Sequence, residues 1–321
     1  MKKIFFLVAF ICITSRSYCW GFYGHRKINQ LAVFLLPPQM LILYKPNIGF
    51  ITEHAVDPDK RRYAIADEGP RHFIDIDHYG KYPYSELPRD YKAAVEKFSK
   101  DTITKYGIVP WHVITMLGRL TRAFREKNFS AIMRNSADIG HYIADAHVPL
   151  HASSNHDGQL TGQAGIHAFW ESRVPELLAD KQFDFFIGKA EYIKNPSAFI
   201  WDRVLESGRE ADSVLQIEKE LSKEFPGDKK YSFERRNNNL VVKQYSSAYT
   251  IAYNKRLNGM VERRMRQAIF AVASFWYTAW VNAGQPDLSS LVHQTFTADD
   301  LKQFEELNQK WQGGKIIGRE E

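Results

Sequence analysis

Apolar residues recur along this chain at helical spacing, and strand-like alternation of apolar and polar positions is almost absent. The pattern predicts helices over roughly 26–36, 86–104, 110–126, 130–147, 164–182, 197–222, 236–256 and 258–282, hence an all-α, multi-helix single domain. In the segment from Ser130, the positions Ile132, Ser136, Ile139, Gly140 and Ile143 form one stripe, with Asn128 or Ser130 as N-cap and Pro149 just past the end. His141 and Asp145 border that stripe, which turns them inward. The long run from Glu234 to Trp280 ends at a Gly284-Gln285-Pro286 helix stop, and its Arg235, Arg236, Arg263, Arg264 and Arg266 are expected on a solvated face. Beyond Pro286 a linker leads to an amphipathic helix, capped by Thr297 with Asp300 three residues on.

The N-terminus changes this picture. Met1-Lys2-Lys3 followed by the apolar run Ile4 to Ile13 has the basic and apolar parts of a secretory signal peptide, and the run is too short to span a bilayer. Small residues at Ser17 and Cys19 place the cut before Trp20, while Arg16, Ser17 and Tyr18 make a poor approach to a lipidated Cys19. The expected organisation is a signal peptide over 1–19, a catalytic domain over 20–285 and a C-terminal helical extension over 286–321. The mature protein is then exported, periplasmic or secreted, with no transmembrane segment, and is expected to be a monomer. Both cysteines, Cys12 and Cys19, leave with the signal, so a metal site must use His, Asp, Glu or backbone. Loss of Lys2, Lys3 and Arg16 lowers the net charge from +6 to +3, too weak to argue for a nucleic-acid partner.

With 44% apolar and 25% charged residues, the chain of 321 is globular rather than disordered, so its histidines have a packed scaffold to sit in. No Gly-rich phosphate loop, nucleophile-elbow serine or His-Glu-x-x-His motif is present. The chemistry concentrates instead in His141-Tyr-Ile-Ala-Asp145, His151, and His167-Ala-Phe-Trp-Glu171. A histidine and a carboxylate four apart on a helix share one face, and zinc takes both kinds of ligand. One such pair is commonly incidental. Two pairs plus His151 within about one eighth of the chain point to metal.

Three motifs precede this ladder: Trp20-Gly-Phe-Tyr-Gly-His25; Ala55-Val-Asp57-Pro-Asp59-Lys-Arg61-Arg62; and Arg71-His72-Phe73-Ile-Asp75-Ile-Asp77-His78. Their order, over Trp20 to Glu171, resembles the superfamily of bacterial zinc-dependent phospholipases C and the single-strand-specific zinc nucleases of fungi and plants. The resemblance implies three Zn2+ ions clustered at the bottom of a central cleft. One would be held by the amine and carbonyl of Trp20, His25 and a bridging Asp145; the second by Asp57, His72, His141 and the same Asp145; the third by His151, His167 and Glu171. Asp57 is preferred to Asp59 because the family carboxylate leads a similar acidic pair in some phospholipases. Asp145 and Asp57 would thus carry the catalytic pair of ions.

The implied reaction is attack on a phosphate ester by a hydroxide held between two zinc ions, which a shared carboxylate keeps roughly 3.5 to 4 Å apart. Arg61 and Arg62 are candidate phosphate clamps, set against an ordinary surface role. Asp75, Asp77 and His78 are candidates to orient ligand imidazoles. Glu171 as the last ligand and the short step from His151 to His167 resemble the phospholipases, whereas the step from Trp20 to His25 and the His72-Phe73-Ile-Asp run resemble the nucleases. Phe73 suits either a base or a lipid head group. The balance leans to phospholipase C type activity on phospholipids, with a single-strand nuclease or 3′-nucleotidase as the alternative, and a non-catalytic zinc-binding protein as the reading from another class. The third group offers only three protein ligands, which leaves room for water or substrate.

Overall fold

The computed structural model describes residues 21–235 and 241–317, so the expected signal peptide and Trp20 lie outside the described residues. The fold is all-α apart from one small hairpin. Its longer elements are α1 (Gly21–Val33), α2 (Val109–Arg125), α3 (Phe129–Asp145), α4 (Pro196–Glu224), the strands β1 (Tyr231–Arg235) and β2 (Val241–Tyr245), then α5 (Ser247–Arg256), α6 (Met260–Asn282) and α7 (Ala298–Gly313). No described helix is long and apolar enough to cross a membrane.

Helix α6 organises the core. Val261, Met265, Ile269, Val272, Phe275 and Trp276 are all fully buried, and the second half of the helix, Ala268 to Trp280, is almost wholly apolar, which places it in the middle of the protein. Helices α1, α2 and α3 pack against it. Trp276 reaches out of α6 to donate its indole N–H to the Ser136 carbonyl at 3.0 Å, and the Ser136 hydroxyl pairs with Tyr44 at 2.7 Å. These buried polar contacts fix where α3 lies.

Helix α3 begins where Asn128 accepts from the Ala131 amide at 3.0 Å. Its contact with α1 depends on Gly140. A Cβ there would fall 2.1 Å from the Asn29 side-chain oxygen, so only glycine lets the two helices approach this closely. Asn29 in turn donates to the Ala137 carbonyl at 3.1 Å. This seam carries His25 on one helix and His141 on the other.

The sequence pattern misleads at three places. Of the helix expected over 236–256, residues 236–240 lie outside the described residues, Val241 to Tyr245 instead pair with Tyr231 to Arg235 as antiparallel strands, and only α5 is helical. The segment expected over 86–104 breaks at Ser99, whose positive φ ends one helix (Tyr91–Phe98) and starts another (Lys100–Lys105). Arg264 is not on a solvated face. It is fully buried, and its guanidinium pairs with Glu206 at 2.7 Å and donates to the His147 carbonyl at 2.8 Å.

At the C-terminus, Thr297 and Asp300 form the expected capping box of α7. The helix lies against the one-turn helix Asp57–Arg61. Lys60 donates to Asn308 at 2.9 Å, and Trp311 meets Phe22 with ring centres 5.4 Å apart.

Candidate metal centre

Several local elements deliver the side chains. Helix α1 brings His25, the last turns of α3 bring His141 and Asp145, a short turn at Pro149–Ala152 brings His151, and His167 and Glu171 stand on a helical turn that widens into a π-helical turn over Phe169–Arg173. His72 follows a turn at Gly69–Arg71. All of these ligand candidates are buried, none more than 2% exposed.

Asp145 is the hub. Its Oδ1 lies 3.4 Å from His25 Nε2, whereas its Oδ2 lies 3.0 Å from His72 Nδ1 and 3.2 Å from His141 Nε2. The two oxygens of one carboxylate therefore face two different sets of imidazoles, which is the arrangement a bridging ligand needs. His25 and His141 stack with ring centres 3.8 Å apart. Burial opposes ionisation of Asp145, but the charges of His141 and His151 and the surrounding hydrogen bonds outweigh it and hold the carboxyl well below its ordinary range.

Asp59, not Asp57, completes this group. Asp59 Oδ1 lies 3.6 Å from His141 Nε2 and 3.8 Å from His72 Nδ1. Asp57 instead pairs with His54 at 2.5 Å and Lys60 at 3.0 Å. Helical residues two apart point about 200° apart, so only one of the two acids can face the centre. Which one does so is not written in the spacing.

The ring nitrogens are assigned by their outer partners. His141 Nδ1 donates to the Ala55 carbonyl at 2.8 Å and His151 Nδ1 to the His72 carbonyl at 2.6 Å, so Nε2 is the nitrogen each ring turns toward the centre. His72 is reversed: Nδ1 faces the cluster, and Nε2 faces Glu68 Oε1 at 3.7 Å. Burial lowers the basicity of His72, yet its contacts with Asp145 and Glu68 prevail and raise it to about 9. At His25 burial, joined by the neighbouring His141, outweighs the contact with Asp145 and pushes it down to about 4.

Glu68 is a candidate positioning residue the sequence reading missed. It is fully buried, accepts from the Tyr142 hydroxyl and from Arg71 Nη1 at 2.6 Å, and faces His72 Nε2 at 3.7 Å. The only signal for it is that it stands four residues before His72. Asp77 and His78 do not take this role: Asp77 accepts from Ser153 at 3.1 Å and from the Ser154 amide at 2.9 Å, and His78 stacks on Tyr106. Nor are the other candidates free for substrate. Arg61 is engaged by Asp138 at 3.0 Å and Tyr142 at 3.1 Å, and Phe73 is 2% exposed under Gly107.

The second group is His151, His167 and Glu171. Glu171 Oε2 lies 3.1 Å from His167 Nε2 and 3.6 Å from His151 Nε2. Asp157 fixes the approach by accepting from the amides of Gly165 at 2.9 Å and His167 at 3.2 Å. This group is as buried as the other, so any room in it comes from its three-ligand count rather than from exposure.

The donors fit metal ions. Both oxygens of Asp59 are buried without a hydrogen bond, and an uncompensated buried carboxylate is costly unless a cation meets it. Ligand atoms of His25, His141 and Asp145, of Asp59, His72 and His141, and of His151, His167 and Glu171 converge to within 4.8 Å in each set. His141 appears twice but has one nitrogen to give, since the other is bound to Ala55. The first position thus keeps His25 and Asp145, and the second takes Asp59, His72, His141 and Asp145. No family model and no curated protein matches this chain, so the likeness to the zinc phospholipases and nucleases rests on these residues alone.

Proposed function

We propose that the protein is an exported zinc-dependent hydrolase of phosphate esters, with phospholipid as its substrate class. The observation that carries this reading is the division of Asp145 between His25 on one oxygen and His72 and His141 on the other. A structural site has no need of a carboxylate shared between two positions, whereas hydrolysis at paired ions does.

Zinc at these positions would acidify a bound water and neutralise charge on a phosphate oxygen. The chain's part is to hold and orient. Asp145 spaces the two positions, Asp59 supplies the second negative charge, and the carbonyls of Ala55 and His72 fix which imidazole nitrogens face inward. His151, His167 and Glu171 hold a third position, and Glu171 in that place is what inclines the reading to lipid. The Trp20 amine, freed by signal cleavage, would complete the position shared by His25.

The test is a parallel assay of the zinc-loaded mature protein on phosphatidylcholine, single-stranded DNA, RNA and 3′-AMP. Hydrolysis of phosphatidylcholine is expected. Turnover of the nucleic acids alone would move the substrate class, and no hydrolysis of any ester would end the enzyme reading.

A further inference from the structure

The β1–β2 pair, the one sheet among the described residues, has one face that the core does not use. Residues directly opposite in an antiparallel pair share a face, and successive residues alternate. The register Tyr231↔Tyr245, Phe233↔Lys243 and Arg235↔Val241 therefore puts all six side chains on one side. Toward the base this face is anchored, for Tyr245 stacks on Phe169 with ring centres 3.8 Å apart, and Phe169 lies between His167 and Glu171. Farther along the described strands it is exposed. Phe233 is 73% exposed and Val241 53%, with Arg235 and Lys243 exposed beside them.

The charges are arranged to match. Glu234 points to the opposite face, where Arg173 pairs with it at 2.8 Å. Arg235 and Lys243 meet no carboxylate among the described residues, and Lys243 sits over the Tyr231 ring at 4.2 Å. The neighbouring loop between His151 and His167 carries Leu160, 74% exposed. Gln163 from that loop and Lys230 from the hairpin base both bind Glu218, at 2.6 and 2.8 Å.

We infer that this hairpin face docks the protein onto an anionic phospholipid surface beside the His151, His167 and Glu171 group, an inference that rests on the lipid reading above. An exposed aromatic and an aliphatic side chain flanked by two cations that meet no carboxylate among the described residues suit the boundary between head groups and acyl chains. A single-stranded nucleic acid asks for successive stacking platforms. This face offers one highly exposed ring, and its neighbour Val241 cannot stack.

The experiment uses the full-length, zinc-loaded protein and two double variants, Phe233→Ser with Val241→Ser and Arg235→Gln with Lys243→Gln. Binding is measured by co-sedimentation with phosphatidylcholine vesicles, with mixed phosphatidylcholine and phosphatidylglycerol vesicles, and by titration with oligothymidylate. The apolar variant should bind both vesicles at least about tenfold more weakly. The charge variant should lose about 25-fold on the mixed vesicles, roughly fivefold per cation, and nothing on pure phosphatidylcholine. Both should hydrolyse soluble bis(p-nitrophenyl) phosphate at the parent rate, which separates a failure of docking from a failure of the hydrolase reading. Unchanged vesicle binding in both variants overturns the inference, as does a loss confined to oligothymidylate. Vesicle binding that follows the predicted pattern in a protein inert on every ester would sustain docking and remove the enzyme.

Discussion

Gly140 of α3 faces Asn29 of α1 so closely that an added Cβ would stand 2.1 Å from the Asn29 oxygen. That contact sets the stacking of His25 on His141, and so the geometry on both sides of Asp145. Gly140→Ala should cost about 1 to 3 kcal/mol through overpacking and should also reduce bound zinc. Thermal unfolding together with metal content checks both. A destabilised protein with full zinc would separate the helix seam from the site.

Glu68 faces His72 Nε2 at 3.7 Å from behind the cluster. Glu68→Gln keeps the size of the side chain but removes the charge that faces His72 Nε2. Zinc affinity, measured by competition with a chelator, should fall about 10- to 100-fold while the helical circular dichroism is unchanged. An affinity equal to that of the parent would show that Glu68 serves only its contacts with Tyr142 and Arg71.

Burial lowers His112 to about 3, and burial together with the nearby Arg264 drives His147 well below its ordinary range. Both are neutral in the folded protein and take up a proton on unfolding below about pH 6.5. Their contribution is therefore complete above about 6.5 and is lost as the pH falls toward the folded value. Between pH 6.5 and 5 each removes stability at up to about 1.4 kcal/mol per unit. Denaturant titrations of His112→Gln should give a slope shallower by that amount. Parallel slopes in variant and parent would contradict the assignment.

Arg264 is buried between α6 and α4 with Glu206 at 2.7 Å and the His147 carbonyl at 2.8 Å. Arg264→Ala leaves both without their cation, so a loss of about 3 to 5 kcal/mol is expected, measured by urea unfolding. A change within about 0.5 kcal/mol would return Arg264 to the solvated face that its sequence context suggests.

The legible parts of this protein are those governed by periodicity and by ligand chemistry. The stripe of α3 turns His141 and Asp145 inward as its spacing predicts, and the pairing of His167 with Glu171 follows from four-residue spacing. The hairpin was hidden because its paired strands are short and flanked by long helical patterns, so no window shows sustained alternation. Arg264 was hidden because its partners, Glu206 and the His147 carbonyl, come from other elements. The choice between Asp57 and Asp59 was hidden for another reason. Both lie on one turn of helix, and the angle at which that turn meets α3 decides between them.

That choice offers the most direct measurement of the central claim, that Asp59, His72, His141 and Asp145 form one metal position bridged to a second. Zinc per chain is measured by plasma emission spectrometry in Asp59→Asn and Asp57→Asn, purified alike with the parent. The account predicts that Asp59→Asn loses one zinc equivalent while Asp57→Asn keeps the full complement. Full zinc in Asp59→Asn, with a loss in Asp57→Asn, would contradict it.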